Sequence, residues 1–233
     1  MKEFVLASFN IGAAGKMYNG YDERDLHAIA DFIKNCGADV VALQEVDIGC
    51  RRSQGVDMVS YISEKAGYPY THFITIRPFQ DGLYGTAIIS KYPITDKKTI
   101  NYKVKVAKQG TSCGYAVIDP DGEKVTVFNT HLSCESDEGN LDTMSCLDHE
   151  LREYYAQNGG FLCCGDFNTQ PKNVSDRIRW LSYANKDLYT YADRSIDNVL
   201  YTKGFEVSGV HTLDATTDMI SDHNMLICTV KVL

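Results

Sequence analysis

The residues best suited to chemistry in this chain stand where apolar runs stop. Asn10 closes Phe4-Val5-Leu6-Ala7-Ser8-Phe9, and Gln44-Glu45 closes the run from Ala38 to Leu43. His131 ends Val125-Thr126-Val127-Phe128-Asn129-Thr130, and Asp166-Phe167-Asn168 follows Phe161-Leu162-Cys163-Cys164-Gly165. Asp197 opens Ile196-Asp197-Asn198-Val199-Leu200, and Ser221-Asp222-His223-Asn224 opens the last apolar run. Strand ends converge on shared rims, where sheet proteins place reactive groups. Carboxylates and amides are hard oxygen donors that suit Mg2+ or Mn2+ rather than zinc. Two imidazoles beside such a cation suit phosphoryl chemistry, in which charge on non-bridging oxygens is neutralised and a water is activated.

Taken singly, each of these residues has a plainer reading. A glutamate after a buried strand is a solvated strand end, Gly-Asp-Phe-Asn is a turn with an Asx cap, and a lone histidine is a satisfied hydrogen-bonding group. Other motifs fall away. Gly12-Ala13-Ala14-Gly15-Lys16 imitates a phosphate loop, but position 10 is Asn and position 17 is Met where that motif needs Gly and Ser or Thr. Serine-hydrolase and zincin readings are set aside.

The elements that must position these residues are legible from periodicity. Strands are expected over Glu3–Asn10, Ala38–Gln44, Tyr70–Ile76, Tyr84–Ser90, Lys98–Lys105, Ser112–Ile118, Lys124–Thr130, Gly160–Gly165, Ile196–Tyr201, Glu206–His211 and Asn224–Val232. Asp119-Pro120-Asp121-Gly122 marks a hairpin turn. Helices are expected over Asp22–Cys36, Val56–Ala66, Leu141–Gln157 and Val174–Ser182. Strands with helices interspersed in both halves predict a layered α/β sandwich, sheets inside and helices outside. With no linker, repeat or low-complexity tract, residues 1–233 read as a single domain.

Composition sets the outer bounds. The chain has 233 residues and a net charge of −8, so a general polyanion-coating role is excluded, although one phosphate can still be gripped at a focused site. The longest apolar runs are strand-length, so no membrane-spanning segment is expected. The N-terminus lacks the pattern of a signal peptide, and the eight cysteines form no C-x-x-C pair. Reduced, structural thiols and a cytoplasmic monomer are therefore expected.

In order along the chain, several motifs together resemble the endonuclease/exonuclease/phosphatase superfamily: Asn10, Leu43-Gln44-Glu45-Val46-Asp47, the stretch from Tyr84 to Ile94, Asn129-Thr130-His131-Leu132, Gly165-Asp166-Phe167-Asn168, Ile196-Asp197 and Ser221-Asp222-His223. The resemblance implies a four-layer α/β sandwich like that of pancreatic deoxyribonuclease, with two mixed β-sheets packed face to face, and Mg2+-dependent hydrolysis of phosphoesters. It implies that Glu45 is the principal metal ligand, with Asn10 close by and Asp222 a further carboxylate of the metal site. Asp166 and Asn168 would orient water and phosphate. His223, oriented by Asp197, would act as base or as phosphate-binding imidazole, and His131 resembles a histidine of the deoxyribonuclease, sphingomyelinase and inositol-phosphatase branches. Gly12 and Asn198 depart from the apurinic-endonuclease and aromatic patterns respectively, which weakens a DNA-repair assignment.

Substrate identity is left open between nucleic acid, inositol phosphates and lipid headgroups, and between diesterase and monoesterase. Arg51, Arg52, Arg77 and Lys91 offer a small basic patch; Arg51, Arg77, Tyr84 and Arg194 are the candidate substrate-binding residues. Glu135, Asp137, Glu138 and Asp142 follow His131 closely and would repel a long polyanion. Tyr183, Tyr189 and Tyr191 either stack on a ligand or pack a loop onto the core. A catalytically silent binding module is the competing class; loss of Glu45, Asp166 or His223 would have marked it, and all are present.

Overall fold

The computed structural model describes residues 3–15, 22–108 and 111–233. Met1, Lys2, Lys16 and Met17, on which the leader and phosphate-loop readings partly rest, lie outside the described residues.

Strands β1 (Glu3–Asn10), β2 (Val40–Ile48), β3 (Tyr70–Phe79), β4 (Gly82–Ser90), β5 (Ile94–Asn101), β6 (Ser112–Ile118), β7 (Val125–His131), β8 (Leu162–Asp166), β9 (Ser182–Tyr183), β10 (Asp197–Tyr201), β11 (Phe205–Leu213) and β12 (Met225–Val232) form two six-stranded sheets. The first has the order β11-β12-β1-β2-β4-β3 and the second β5-β6-β7-β8-β10-β9. Each sheet is mixed: β1 with β2 and β7 with β8 run parallel, and the other pairs are antiparallel. Helices α1 (Glu23–Asn35) and α2 (Met58–Ala66) follow β1 and β2; α3 (Asp137–Asn158) and α4 (Pro171–Arg177) follow β7 and β8.

Side-chain alternation along the strands builds the layers. Phe4 and Leu6 of β1, and Val40 and Ala42 of β2, point between the sheets. They meet Val125 and Val127 of β7, Leu162 and Cys164 of β8, and Val199 of β10. The opposite faces take the helices: Val41 and Leu43 pack on Leu26, Ile29 and Ile33 of α1, while Phe128 and Cys163 pack on Met144, Leu147 and Leu151 of α3. The result is the expected four-layer sandwich.

Some element bounds differ from expectation. β5 covers Ile94–Asn101 rather than Lys98–Lys105, because it is a polar edge strand whose register on β6 is interrupted by a bulge near Ile94. Helix α3 starts at Asp137 rather than Leu141, since the Ser136 side chain accepts from Gly139 N (3.0 Å) and the acidic pair Asp137 and Glu138 suits a helix N-terminus. Helix α4 covers Pro171–Arg177 rather than Val174–Ser182, with proline in its first turn.

Candidate active site

The inner-face rows of five strands change from apolar to polar at one end of the sandwich. Continuing the alternation from the inter-sheet core, β1 reaches Ser8 and Asn10, β2 reaches Gln44, and β7 reaches Asn129 and His131. β8 ends in Asp166, and β10 begins with Asp197. All of these residues are buried. The loop before β12 adds Asp222 and His223, because β12 runs antiparallel to β1 and so begins where β1 ends.

Simple alternation would send Glu45 to the helix side. The β2–β4 register shifts between Leu43 and Val46, and Glu45 has φ of 57° there. This bulge turns its carboxylate to the rim, an uncommon backbone state for a residue with a side chain. The Asn10 amide nitrogen donates to Glu45 Oε1 (3.3 Å) and to Asp166 Oδ2 (3.1 Å), while its oxygen accepts from Gly12 N (3.0 Å). Asn10 thus clasps two carboxylates, one from each sheet. Gly12 has φ of +55°, and a Cβ there would lie 3.3 Å from Asp222 Oδ1, so a larger residue would press on that carboxylate.

Asp166 is the centre of the arrangement. Its Oδ1 accepts from Asn168 N (2.8 Å), and its Oδ2 lies 3.6 Å from His131 Nε2 and 3.7 Å from His223 Nε2. Burial, then the Asp197 charge, raises its affinity for a proton, against the pull of the two imidazoles. Asp197 Oδ2 is 2.9 Å from His223 Nδ1, so the sequence-expected carboxylate–imidazole pair is formed. Burial alone would lower the His223 pKa, but Asp197, with Asp166 and Asp222, outweighs it and pushes it up to about 10. Asp197, Asp166 and His223 bring ligand atoms within 4.8 Å of one another. Asn168, at φ of 51°, anchors itself by donating from its amide to Leu132 O (2.9 Å).

These groups face a cleft of about 380 Å³, whose walls include Glu45, His131, Asn168, Tyr191, Arg194 and Asp222. Tyr191 packs on the His223 ring with centroids 4.7 Å apart, and Arg194 lies 4.8 Å over Tyr191. Of the tyrosines weighed for stacking, Tyr191 therefore packs on the His223 imidazole, while Tyr189 is 60% exposed.

The expected basic patch is assembled in part: Arg52 and Arg77 share the rings of Phe79 and Tyr84, and Arg51 adjoins Arg52 in the chain. Arg51 is exposed and faces Asp81 (3.8 Å), Lys91 faces Asp39 (3.5 Å), and Arg52 is clamped on buried Asp47. Arg77 stacks on Phe79 and Tyr84, with centroid distances of 4.6 and 5.6 Å. The Tyr84 hydroxyl reaches His131 Nδ1 at 3.4 Å, which puts it beside the reactive groups.

Sequence reasoning passed over several supports. Gln44 Nε2 donates to Asn129 Oδ1 (2.8 Å) across the two sheets, and Asn129 Nδ2 donates to Leu43 O and Ala87 O. Asn140 ties the Ser133 and Phe167 carbonyls together, and Ser221 Oγ donates to Asn10 O (2.7 Å) while accepting from His223 N. Asn198, the departure from an aromatic residue, holds both backbone groups of Asn185. A polar residue on an otherwise apolar inner row was the available signal for Gln44 and Asn129. Gly110-Thr111-Ser112-Cys113-Gly114 carries the G-x-S-x-G spacing of serine hydrolases, a class set aside above. Ser112 is nonetheless buried at the start of β6 and donates to Thr75 O (3.0 Å), so it presents no nucleophile.

A two-sheet sandwich with a carboxylate–imidazole rim defines the fold and site of a phosphoester hydrolase. The chain belongs to the endonuclease/exonuclease/phosphatase family, whose model matches residues 7–223. No curated protein matches it in sequence. Among solved structures it is similar to an endonuclease/exonuclease/phosphatase from Beutenbergia cavernae, with 19% identity over 100% of this chain and 72% of that one, at a TM-score of 0.80. The human nocturnin catalytic domain with bound sulfate aligns at 18% identity over 99% and 94% of the two chains, with a TM-score of 0.79. A Bacteroides thetaiotaomicron mannosyl-6-phosphatase aligns at 14% identity over 98% and 99%, with a TM-score of 0.73. Among the described residues no helix is long and apolar enough to cross a membrane.

Proposed function

We propose that this chain is a Mg2+-dependent phosphodiesterase, with Mn2+ able to serve, that hydrolyses its substrate by attack of water on phosphorus. The observation that carries the reading is the convergence of Glu45, His131, Asp166 and His223, drawn from both sheets, on one cleft, with Asp197 behind the His223 ring. The donor chemistry fits a hard cation: Glu45 and Asp222 on the cleft wall would hold it, with Asn10 setting the Glu45 carboxylate. Among the described residues Cys134 is the one sulfur on the cleft wall, and the donors around it are carboxylates, amides and imidazoles. Bound there, the cation supplies neutralisation of charge on the non-bridging oxygens.

The protein's own groups do the rest. His223, cationic at neutral pH because of Asp197, donates from Nε2 to a phosphate oxygen. Asp166, made more basic by burial, orients the attacking water and takes its proton. Asn168 and His131 line the same cleft and fix the phosphate. Arg194 is the only lysine or arginine among the described residues lining this cleft. Asp137 on the same wall disfavours a long polyanion.

The test compares bis(p-nitrophenyl) phosphate with p-nitrophenyl phosphate, and adds single-stranded DNA, plasmid, RNA, sphingomyelin and inositol phosphates, each with Mg2+ and with EDTA. Diester hydrolysis abolished by EDTA and lowered by orders of magnitude in Glu45→Gln is expected, with the melting temperature of the metal-free protein unchanged or raised. Preference for the monoester would replace diesterase by phosphatase. Turnover indifferent to both EDTA and Glu45→Gln would sink the assignment.

A further inference from the structure

Arg52 lies on the loop that sequence reading assigned to a phosphate-tracking patch, yet its guanidinium faces inward. Its Nε donates to Asp47 Oδ2 (2.7 Å) and a terminal nitrogen donates to Asp47 Oδ1 (2.8 Å), and Asp47 is fully buried. The fork holds the guanidinium plane beside two rings, 4.8 Å from the Phe79 centroid and 5.3 Å from that of Tyr84. Strand pairing sets this up, because Tyr84 of β4 is directly opposite Asp47 of β2. The Tyr84 hydroxyl then meets His131 Nδ1 at 3.4 Å, and His131 Nε2 faces Asp166 Oδ2 at 3.6 Å. An unbroken series of contacts thus runs from Asp47 in the first sheet to Asp166 in the second.

Stability does not explain this pair well. Asp47 is fully buried while the Arg52 side chain keeps 35% of its surface exposed, and such a pair gains little beyond the desolvation cost of its buried partner. What apolar side chains do not supply is a planar, doubly anchored cation that fixes the tilt of a neighbouring phenol. The Arg52 backbone N–H donates to Gln80 Oε1 (2.8 Å), which pins the turn that carries the side chain.

We propose that Arg52 is a positioning residue: clamped by Asp47, it holds Tyr84 so that the phenol fixes the His131 ring with Nε2 toward the reacting phosphate. The effect on turnover rests on the phosphodiesterase reading, whereas the effect on the ring does not. The experiment therefore reads both in Arg52→Lys, Tyr84→Phe and the double variant. It measures kcat and KM on bis(p-nitrophenyl) phosphate, and the imidazole nitrogen resonances of His131 in metal-free protein at one fixed pH. Each single variant should lose about two- to tenfold in kcat, the worth of one hydrogen bond, with KM nearly unchanged. The double variant should be no slower than Tyr84→Phe alone, because the two residues act as one unit. Arg52→Lys should move the His131 resonances in the direction that Tyr84→Phe moves them. Should the lysine variant fail to fold, Asp47→Asn combined with Arg52→Gln removes both charges of the pair while keeping hydrogen-bonding groups, and the same resonances are read. Unmoved His131 resonances in a folded Arg52 variant, or multiplicative losses in the double variant, would overturn the proposal. Absence of hydrolysis in the unmodified protein would instead remove the phosphodiesterase reading, and the resonances would still decide the positioning.

Discussion

At the scale of single residues, His223 is the group whose ionisation should be felt most widely. Its folded-state pKa of about 10 lies above the ordinary 6.5, so the folded protein keeps a proton that the unfolded chain releases. The stability this contributes is fully present below about pH 6.5 and is lost as pH climbs toward about 10. Asp197→Asn removes the largest favourable partner, so the fall in melting temperature from about pH 6 to about pH 9 should be smaller in that variant. If the His223 cation grips the phosphate, activity falls along the same alkaline limb, and Asp197→Asn shifts the limb to lower pH. In His223→Ala the limb should vanish, and adding Asp197→Asn should cost little more. A pH–rate profile that rises through this range would assign His223 as a base instead. The sequence showed both partners but not their strength, which depends on Asp166 and Asp222 closing around the ring.

At the scale of elements, close approach and cross-linking matter more than propensity. Gly165 precedes Asp166 on β8, and a Cβ there would run into the Thr130 carbonyl and side chain of β7. Gly165→Ala should therefore cost about 1–3 kcal/mol in urea unfolding, and it should displace Asp166 as well, lowering turnover. Asn129→Leu would strand the Leu43 and Ala87 carbonyls and the Gln44 amide, at about 1–3 kcal/mol for each group left buried and unpaired. A midpoint shift below that range would show that water replaces the lost bonds. Strands with alternating apolar rows, such as β1, β7 and β8, were legible because the row itself specifies the buried face. β5 was misplaced because an exposed edge strand carries no such row. The Glu45 bulge was illegible for a different reason. Nothing local demands φ of 57° there, and the state is held by the β2–β4 register and by Asn10 from another strand. The contacts of Arg52 were illegible on the same grounds, since its pairing with Asp47 and its stacking on Tyr84 both required the sheet.

At the scale of the whole molecule, all eight cysteines are free, with Cys134 exposed and Cys113, Cys163, Cys164 and Cys228 buried. Burial pushes the thiols of these four up, so alkylation of the folded protein should mark Cys134 first and leave them untouched. An intact mass of unreduced protein showing any disulfide deficit would contradict this arrangement. The connectivity is asymmetric: the second sheet is one continuous stretch from β5 to β10, whereas the first is built from β1–β4 and then completed by β11 and β12. Because β1 is flanked by β2 on one side and by β12 on the other, its second edge stays unpaired while everything between is synthesised. His223 arrives just ahead of that closing strand. On the ribosome, then, a nascent chain can complete its second sheet early but must carry an open edge and an incomplete rim until β12 has left the exit tunnel, so hydrolytic competence comes late in translation and during that interval the exposed edge of β1 is the place where chaperones would be needed.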